Sequence, residues 1–178
     1  MCRQVAELSG LDLSAVQSIM QKYGDPYERG HVDSRMLHDE VCRQAEKTLP
    51  FEALMHAVAD IFWPNDPVIE LAMRVKNRGH RLFLLSNTCE AHFEFAFRQF
   101  PFLSQFDGHV LSYRVGARKP EKEIYEKALK IAGCENRECF YTDDVPGYIE
   151  TARSIQIDAE AYTDPRSLTQ HLHSRGIL

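Results

Sequence analysis

Three short clusters in the 178-residue sequence carry side chains whose types and spacing could do chemistry. The first is Asp143-Asp144, which ends the β-prone run beginning at Cys139 and precedes Val145-Pro-Gly147, after which a helical pattern starts at Tyr148. The two acids are therefore expected where a strand ends, the place at which open α/β sheets hold their reactive groups. Adjacent carboxylates repel each other unless a cation, a shared proton or separate hydrogen bonds stabilise them, and a hard divalent ion such as Mg2+ is the usual cation. The plainer alternative is a helix cap next to a solvated acid. The second cluster, Ser86-Asn87-Thr88, follows the apolar run 81–85 and precedes a helix. A hydroxyl and free backbone N–H groups there make a small anion site, with a simple helix cap as the alternative. The third is Gly116-Ala-Arg-Lys119-Pro120. Gly116 permits an unusual backbone angle and Pro120 suits a first helical turn, so Lys119 is expected at a fixed place where its ammonium can neutralise an anion. Its plainer alternative is a solvated surface charge, the class to which Arg118 is assigned.

The elements that position these clusters follow from hydrophobic periodicity. Residues 2–8 read as a helix stopped at Gly10. A second helix starts at Ser14, with Gln17 in capping-box spacing, carries Val16, Ile19, Met20 and Tyr23, and is broken by Gly24-Asp-Pro26. Asp33 caps a third with Met36, Leu37, Val41 and Ala45 on its apolar face. Pro50 opens a fourth bearing Leu54, Met55, Val58 and Phe62. After the Pro64–Pro67 loop the period changes. A helix stopped at Gly79 leads to a strand at 81–86, then helix 89–98, strand 109–112, helix 121–132, strand 139–142, helix 148–154, strand 157–161 and a helix from Pro165. Alternation of this kind predicts an α/β fold, a parallel sheet with helices on both faces. The expected division is a helical cap over 1–66 and an α/β core over 67–178, with Trp63 packed at the junction. Of the cap residues, Tyr27 or Arg29 could reach a substrate, but each reads first as a turn residue on a solvated face.

Bulk composition narrows the function. A net charge of -5 argues against a broad nucleic-acid surface. No apolar run is long enough to span a bilayer and no secretory signal opens the sequence, so no membrane partner and a cytoplasmic location are expected. Five scattered cysteines form no disulfide framework and read as reduced, mostly buried thiols. The eight histidines show no ligand spacing.

In this order the three loops converge at the carboxyl ends of parallel strands. Leu85-Ser-Asn87, Lys119-Pro120 and Tyr141-Thr-Asp-Asp144 resemble the second, third and fourth motifs of the haloacid dehalogenase-like hydrolase superfamily, over essentially the whole chain. Tyr27-Glu-Arg-Gly30 and the segment Gly116 to Tyr125 are similar to its sugar-phosphate phosphatases of the glucose-1-phosphate phosphatase type and to the phosphatase domain of soluble epoxide hydrolases. The resemblance implies an Mg2+-dependent phosphomonoester phosphatase working on a small phosphorylated metabolite through an aspartyl-phosphate. It further implies that Ser86 and Asn87 bind the phosphoryl oxygens, that Lys119 neutralises them, and that Asp143 holds Mg2+ with Asp144 assisting.

One expected segment is missing. The superfamily's first motif, an apolar strand ending in D-x-D, supplies the nucleophile and the acid, and no Asp in this sequence has another Asp two places on. In the family that strand lies mid-sheet, between the strands that here end at Ser86 and Thr142, so its loss leaves two unpaired inner edges. The expectation is an N-terminally truncated phosphatase, inactive without its nucleophile. The alternative is a non-catalytic phosphate-binding or interaction protein of the same fold. His92, the nearest base to Ser86 in sequence, lies within a helical pattern and reads as a surface or packing residue.

Overall fold

Two aspartates open the long helices of the first third. Asp12 Oδ1 accepts the Ala15 N–H at 2.8 Å and Asp33 Oδ1 accepts that of Met36 at 2.8 Å. Each satisfies a donor that a helix start leaves unpaired. The computed structural model describes residues 1–178 and has the order α1 (Cys2–Ser9), α2 (Leu13–Glu28), α3 (Ser34–Ala45), α4 (Phe51–Ala59), α5 (Asp66–Asn77), β1 (Phe83–Ser86), α6 (Glu90–Gln99), β2 (Gly108–Leu111), α7 (Ser112–Val115), α8 (Lys122–Ala132), β3 (Phe140–Asp143), α9 (Pro146–Ser154), β4 (Asp158–Ala161) and α10 (Pro165–Ser174).

The helical first third is as expected in outline, with corrections in detail. Asp12, not Ser14, caps α2. Gly24-Asp-Pro26 does not break it: the helix runs on to Glu28, and the Pro26 carbonyl accepts the N–H groups of His31 (2.8 Å) and Val32 (3.2 Å), which close the following turn. Tyr27 is not on a solvated face. It is 5% exposed, its hydroxyl lies 2.6 Å from that of Ser34, and it accepts the Ala91 N–H at 3.1 Å. Met36 is 50% exposed because it stands one position off the line of Leu37 and Val41, which point into the core. Trp63, expected to pack, is 84% exposed.

The contacts divide the chain into two compact units. One comprises Met1–Trp63, Asn87–Pro101 and Leu111–Gly116; the other comprises Pro64–Ser86, Phe102–Val110 and Ala117–Leu178. In the first, Val5, Val16, Ile19, Leu37, Val41, Leu54 and Val58 form a core that also takes Ala91 and Phe95 of α6. Gly30 turns the chain after α2 with φ 72, and a methyl group there would overlap the Tyr113 carbonyl of the same unit. Gly30→Ala is therefore expected to cost about 1–3 kcal/mol, through left-handed strain and the forced shift of backbone. A lower urea midpoint at unchanged m is the check.

In the second unit β3 and β4 pair in parallel, with Phe140 opposite Asp158 and Asp143 opposite Ala161. β1 and β2 form a separate two-stranded sheet. The helix-rich α/β architecture is the expected one, and its strands form two pairs with no ladder between β1 and β3, the two inner edges expected to be unpaired. All residues of β1 and β3 are only partly buried, whereas a strand inside a parallel sheet is covered on both faces. A separate apolar cluster joins Leu71 and Val75 of α5 to Leu168 and Leu172 of α10 and to Leu178.

Candidate active site

Lys119 is placed by the turn between α7 and α8. Gly116 takes the left-handed conformation at φ 70, Arg118 N–H donates to Glu121 Oε2 at 3.1 Å, and Glu121 N–H donates to the Arg118 carbonyl at 2.8 Å. The Lys119-Pro120 peptide is cis and Glu121 is the cap residue of α8, so Pro120 precedes the helix and does not form its first turn. Held in this way, Lys119 is 7% exposed, which excludes a solvated surface charge. Its Nζ donates to the Leu85 carbonyl at 3.0 Å and to Asp143 Oδ2 at 2.5 Å, and lies 4.9 Å from the centre of the Tyr148 ring. One ammonium thus joins the end of β1 to the end of β3.

Asp143 is the last residue of β3, with its side chain 11% exposed. Besides Lys119, Oδ2 accepts the Tyr141 hydroxyl at 2.7 Å, and Oδ1 accepts the Val145 N–H at 3.0 Å. Burial alone would raise its pKa. The hydrogen bond and charge of Lys119, with the Tyr141 and Val145 donors, outweigh that and hold the carboxyl below the usual range. Asp144 is exposed, in the bend before α9.

Ser86 is the last residue of β1 and Asn87 follows it, each partly exposed. Neither caps α6, whose cap residue is Cys89. Thr88 fixes the loop beyond Asn87, because its N–H donates to Ser112 Oγ at 2.9 Å and its carbonyl accepts that hydroxyl at 2.9 Å. His92 is a packing residue of α6, edge-on to Phe62 at 5.5 Å. Of the cysteines only Cys89 is fully buried.

The structure thus brings Lys119, Asp143 and the end of β1 together. Sequence reasoning missed Tyr141, Tyr148, Tyr125 and the Leu85 carbonyl. A signal existed for Tyr141 alone: in a strand, residues two apart share a face, so it had to lie beside Asp143.

Chemically, the cluster pairs an ammonium with a carboxylate, both side chains largely withdrawn from solvent. Asp143 and the adjacent Asp144 are the oxygen donors the chain offers here, and magnesium is usually held by one or two carboxylates with waters and phosphate oxygens completing the set. No three His, Cys, Asp or Glu side chains are grouped to hold a metal, and both Asp143 oxygens already accept hydrogen bonds.

The lysine and carboxylate meet at strand ends of a helix-rich α/β frame, and the comparisons specify the family. The family model of haloacid dehalogenase-like hydrolases matches residues 13–161, and the chain belongs to that family. Among solved structures, it is similar to a HAD family enzyme from Bacteroides thetaiotaomicron, with a TM-score of 0.75 and 20% identity over 91% of this chain and 84% of that one. A structure of that enzyme in complex with magnesium and inorganic phosphate matches with a TM-score of 0.74 and 22% identity, over 90% and 85% of the two chains. A HAD-like family hydrolase from Porphyromonas gingivalis matches with a TM-score of 0.73 and 21% identity, over 96% and 87%. At these identities the likeness concerns the fold. No helix is long and apolar enough to cross a membrane.

Proposed function

We propose that the chain has the fold of a cytoplasmic, magnesium-dependent phosphatase for sugar phosphates or similar small phosphomonoesters, and that these residues, without a D-x-D motif, bind phosphate without hydrolysing esters. The observation that carries this reading is the burial of the Lys119 ammonium between the Leu85 carbonyl and Asp143. A buried cation paired with a carboxylate can hand part of its charge to an incoming phosphoryl group, and positioning plus charge stabilisation is most of what phosphoryl transfer requires. The phosphate and magnesium found with the Bacteroides enzyme agree with it.

In this reading Lys119 neutralises the phosphoryl oxygens, and the Ser86 hydroxyl and Asn87 donate hydrogen bonds to them. Asp143 keeps Lys119 charged and aimed, and Asp144 remains in solvent beside it as a further oxygen donor for the metal. Magnesium, once bound, supplies charge neutralisation for the phosphoryl group. The chain holds only part of its ligand set and has no D-x-D motif, the segment that the family resemblance puts between β1 and β3, two strands that have no ladder with each other. The helical unit of the first third is the cap of such an enzyme.

A second reading, a non-catalytic phosphate-binding protein, is favoured by the closed Lys119–Asp143 pair. Titrating the purified chain with inorganic phosphate by 31P NMR, and assaying a generic phosphomonoester with Mg2+, tests both. Phosphate binding without turnover is expected. Robust turnover by the chain alone contradicts the inactive state, and absence of phosphate binding contradicts the site.

A further inference from the structure

Asp143 Oδ2 takes two donors, Lys119 Nζ at 2.5 Å and Tyr141 Oη at 2.7 Å. Hydrogen bonds to a shared acceptor compete, since each donor withdraws electron density from the oxygen and weakens its hold on the other. Tyr141 is itself held: the Tyr125 ring stands edge-on to it at 5.6 Å, and the fully buried Tyr125 donates its hydroxyl to the Tyr148 carbonyl at 2.9 Å. The Tyr148 ring lies in turn 4.9 Å from the Lys119 ammonium. Three tyrosines of the second unit therefore close a ring with the lysine and the carboxylate.

We propose that Tyr141, held by Tyr125, is a positioning residue that sets how tightly Asp143 holds Lys119, and so how much of the ammonium's charge remains for a bound phosphate. This rests on the reading of Lys119 as the group that meets the phosphoryl oxygens. The sign is the same by two routes. Without the hydroxyl, Asp143 grips Lys119 harder, and the less-screened carboxylate repels an incoming anion more strongly. Either way phosphate affinity falls. The Tyr141 hydroxyl is the donor in its bond to Asp143 Oδ2, since a carboxylate oxygen can only accept.

The variants are Tyr141→Phe, which keeps the ring packing, and 3-fluorotyrosine incorporated at position 141, which keeps the ring and strengthens the donor. Phosphate affinity is expected to fall about three- to tenfold in Tyr141→Phe and to rise about two- to threefold with 3-fluorotyrosine. A residue that only filled space would not follow donor strength. Should Tyr141→Phe not fold, the fluorinated protein carries the test alone. Phosphate affinities within twofold of the wild type in each folded variant overturn the proposal. A second readout separates this from failure of the phosphate reading: exchange of the Lys119 ammonium hydrogens with water, followed by 15N NMR, is expected to slow in Tyr141→Phe and quicken with 3-fluorotyrosine. That change in a wild-type background that binds no phosphate would leave the positioning role standing and the phosphate site refuted. Unchanged exchange overturns the positioning role.

Discussion

Adding an apolar strand that ends in Asp-x-Asp ahead of Met1 is expected to raise Mg2+-dependent hydrolysis of a generic phosphomonoester by about 10^4- to 10^6-fold over the chain alone, the scale of losing a nucleophile. The same extension is expected to stabilise the fold. Four large apolar side chains buried from water contribute about 1.5–3 kcal/mol each, or about 6–12 kcal/mol together, against a net domain stability of about 5–15 kcal/mol. β1 and β3, between which the added strand is expected to insert, belong to different two-stranded sheets and both are only partly buried. Packing and chemistry can be separated by replacing the first Asp of the extension with Asn. Stability should be retained and turnover lost. A rise in thermal midpoint with no turnover in the Asp-x-Asp version would refute the enzymatic reading and leave the binding reading in place. No change in either quantity would refute the strand's placement.

Lys119→Ala is expected to lower stability by about 3–5 kcal/mol at neutral pH, because removing one partner of a buried ion pair leaves the other charge uncompensated. For a chain of this size that is a fall in thermal midpoint of about 6–20 °C. Surface lysines lost to alanine change stability by no more than about 0.5 kcal/mol. The pH dependence has a definite sign. In the wild type the Asp143 pKa is depressed, so its contribution is complete above the unfolded carboxyl pKa of about 4 and is lost as pH falls through the lower folded value. In Lys119→Ala, burial acts without the opposing cation and raises the Asp143 pKa, so the variant recovers by taking up a proton as the pH falls. The gap between the two proteins should therefore be widest near pH 7 and narrow below about pH 4 to 5. A gap independent of pH between 4 and 8, and no larger than about 0.5 kcal/mol, would show that the pair contributes nothing. Lys119→Met with Asp143→Asn should cost less than the sum of the single changes, since no lone charge is then left buried.

The order of elements was legible because their signals are local. Asp33 and Pro50 mark helix starts, Gly116 and Gly133 take the left-handed conformation where chain direction changes, and the alternation of helices and strands past residue 67 reads directly from periodicity. The readings that failed depended on neighbours distant in the chain. Tyr27 looked like a turn residue until α2 proved to continue past Pro26 and bury its ring. Trp63 looked like packing because it is large and apolar, yet the structure leaves it in solvent.

For the site, the sequence by itself determined which charged and hydroxyl groups stand at strand ends, and the order and spacing that match the haloacid dehalogenase-like hydrolases. Residue type and period are enough for that. Only the tertiary structure decided that Lys119 is buried against the Leu85 carbonyl and that Asp143 is shared between an ammonium and a phenol. Those outcomes depend on desolvation and on distances between groups 34 and 24 residues apart along the chain. Local propensity, which acts over a few residues, carries no information about either.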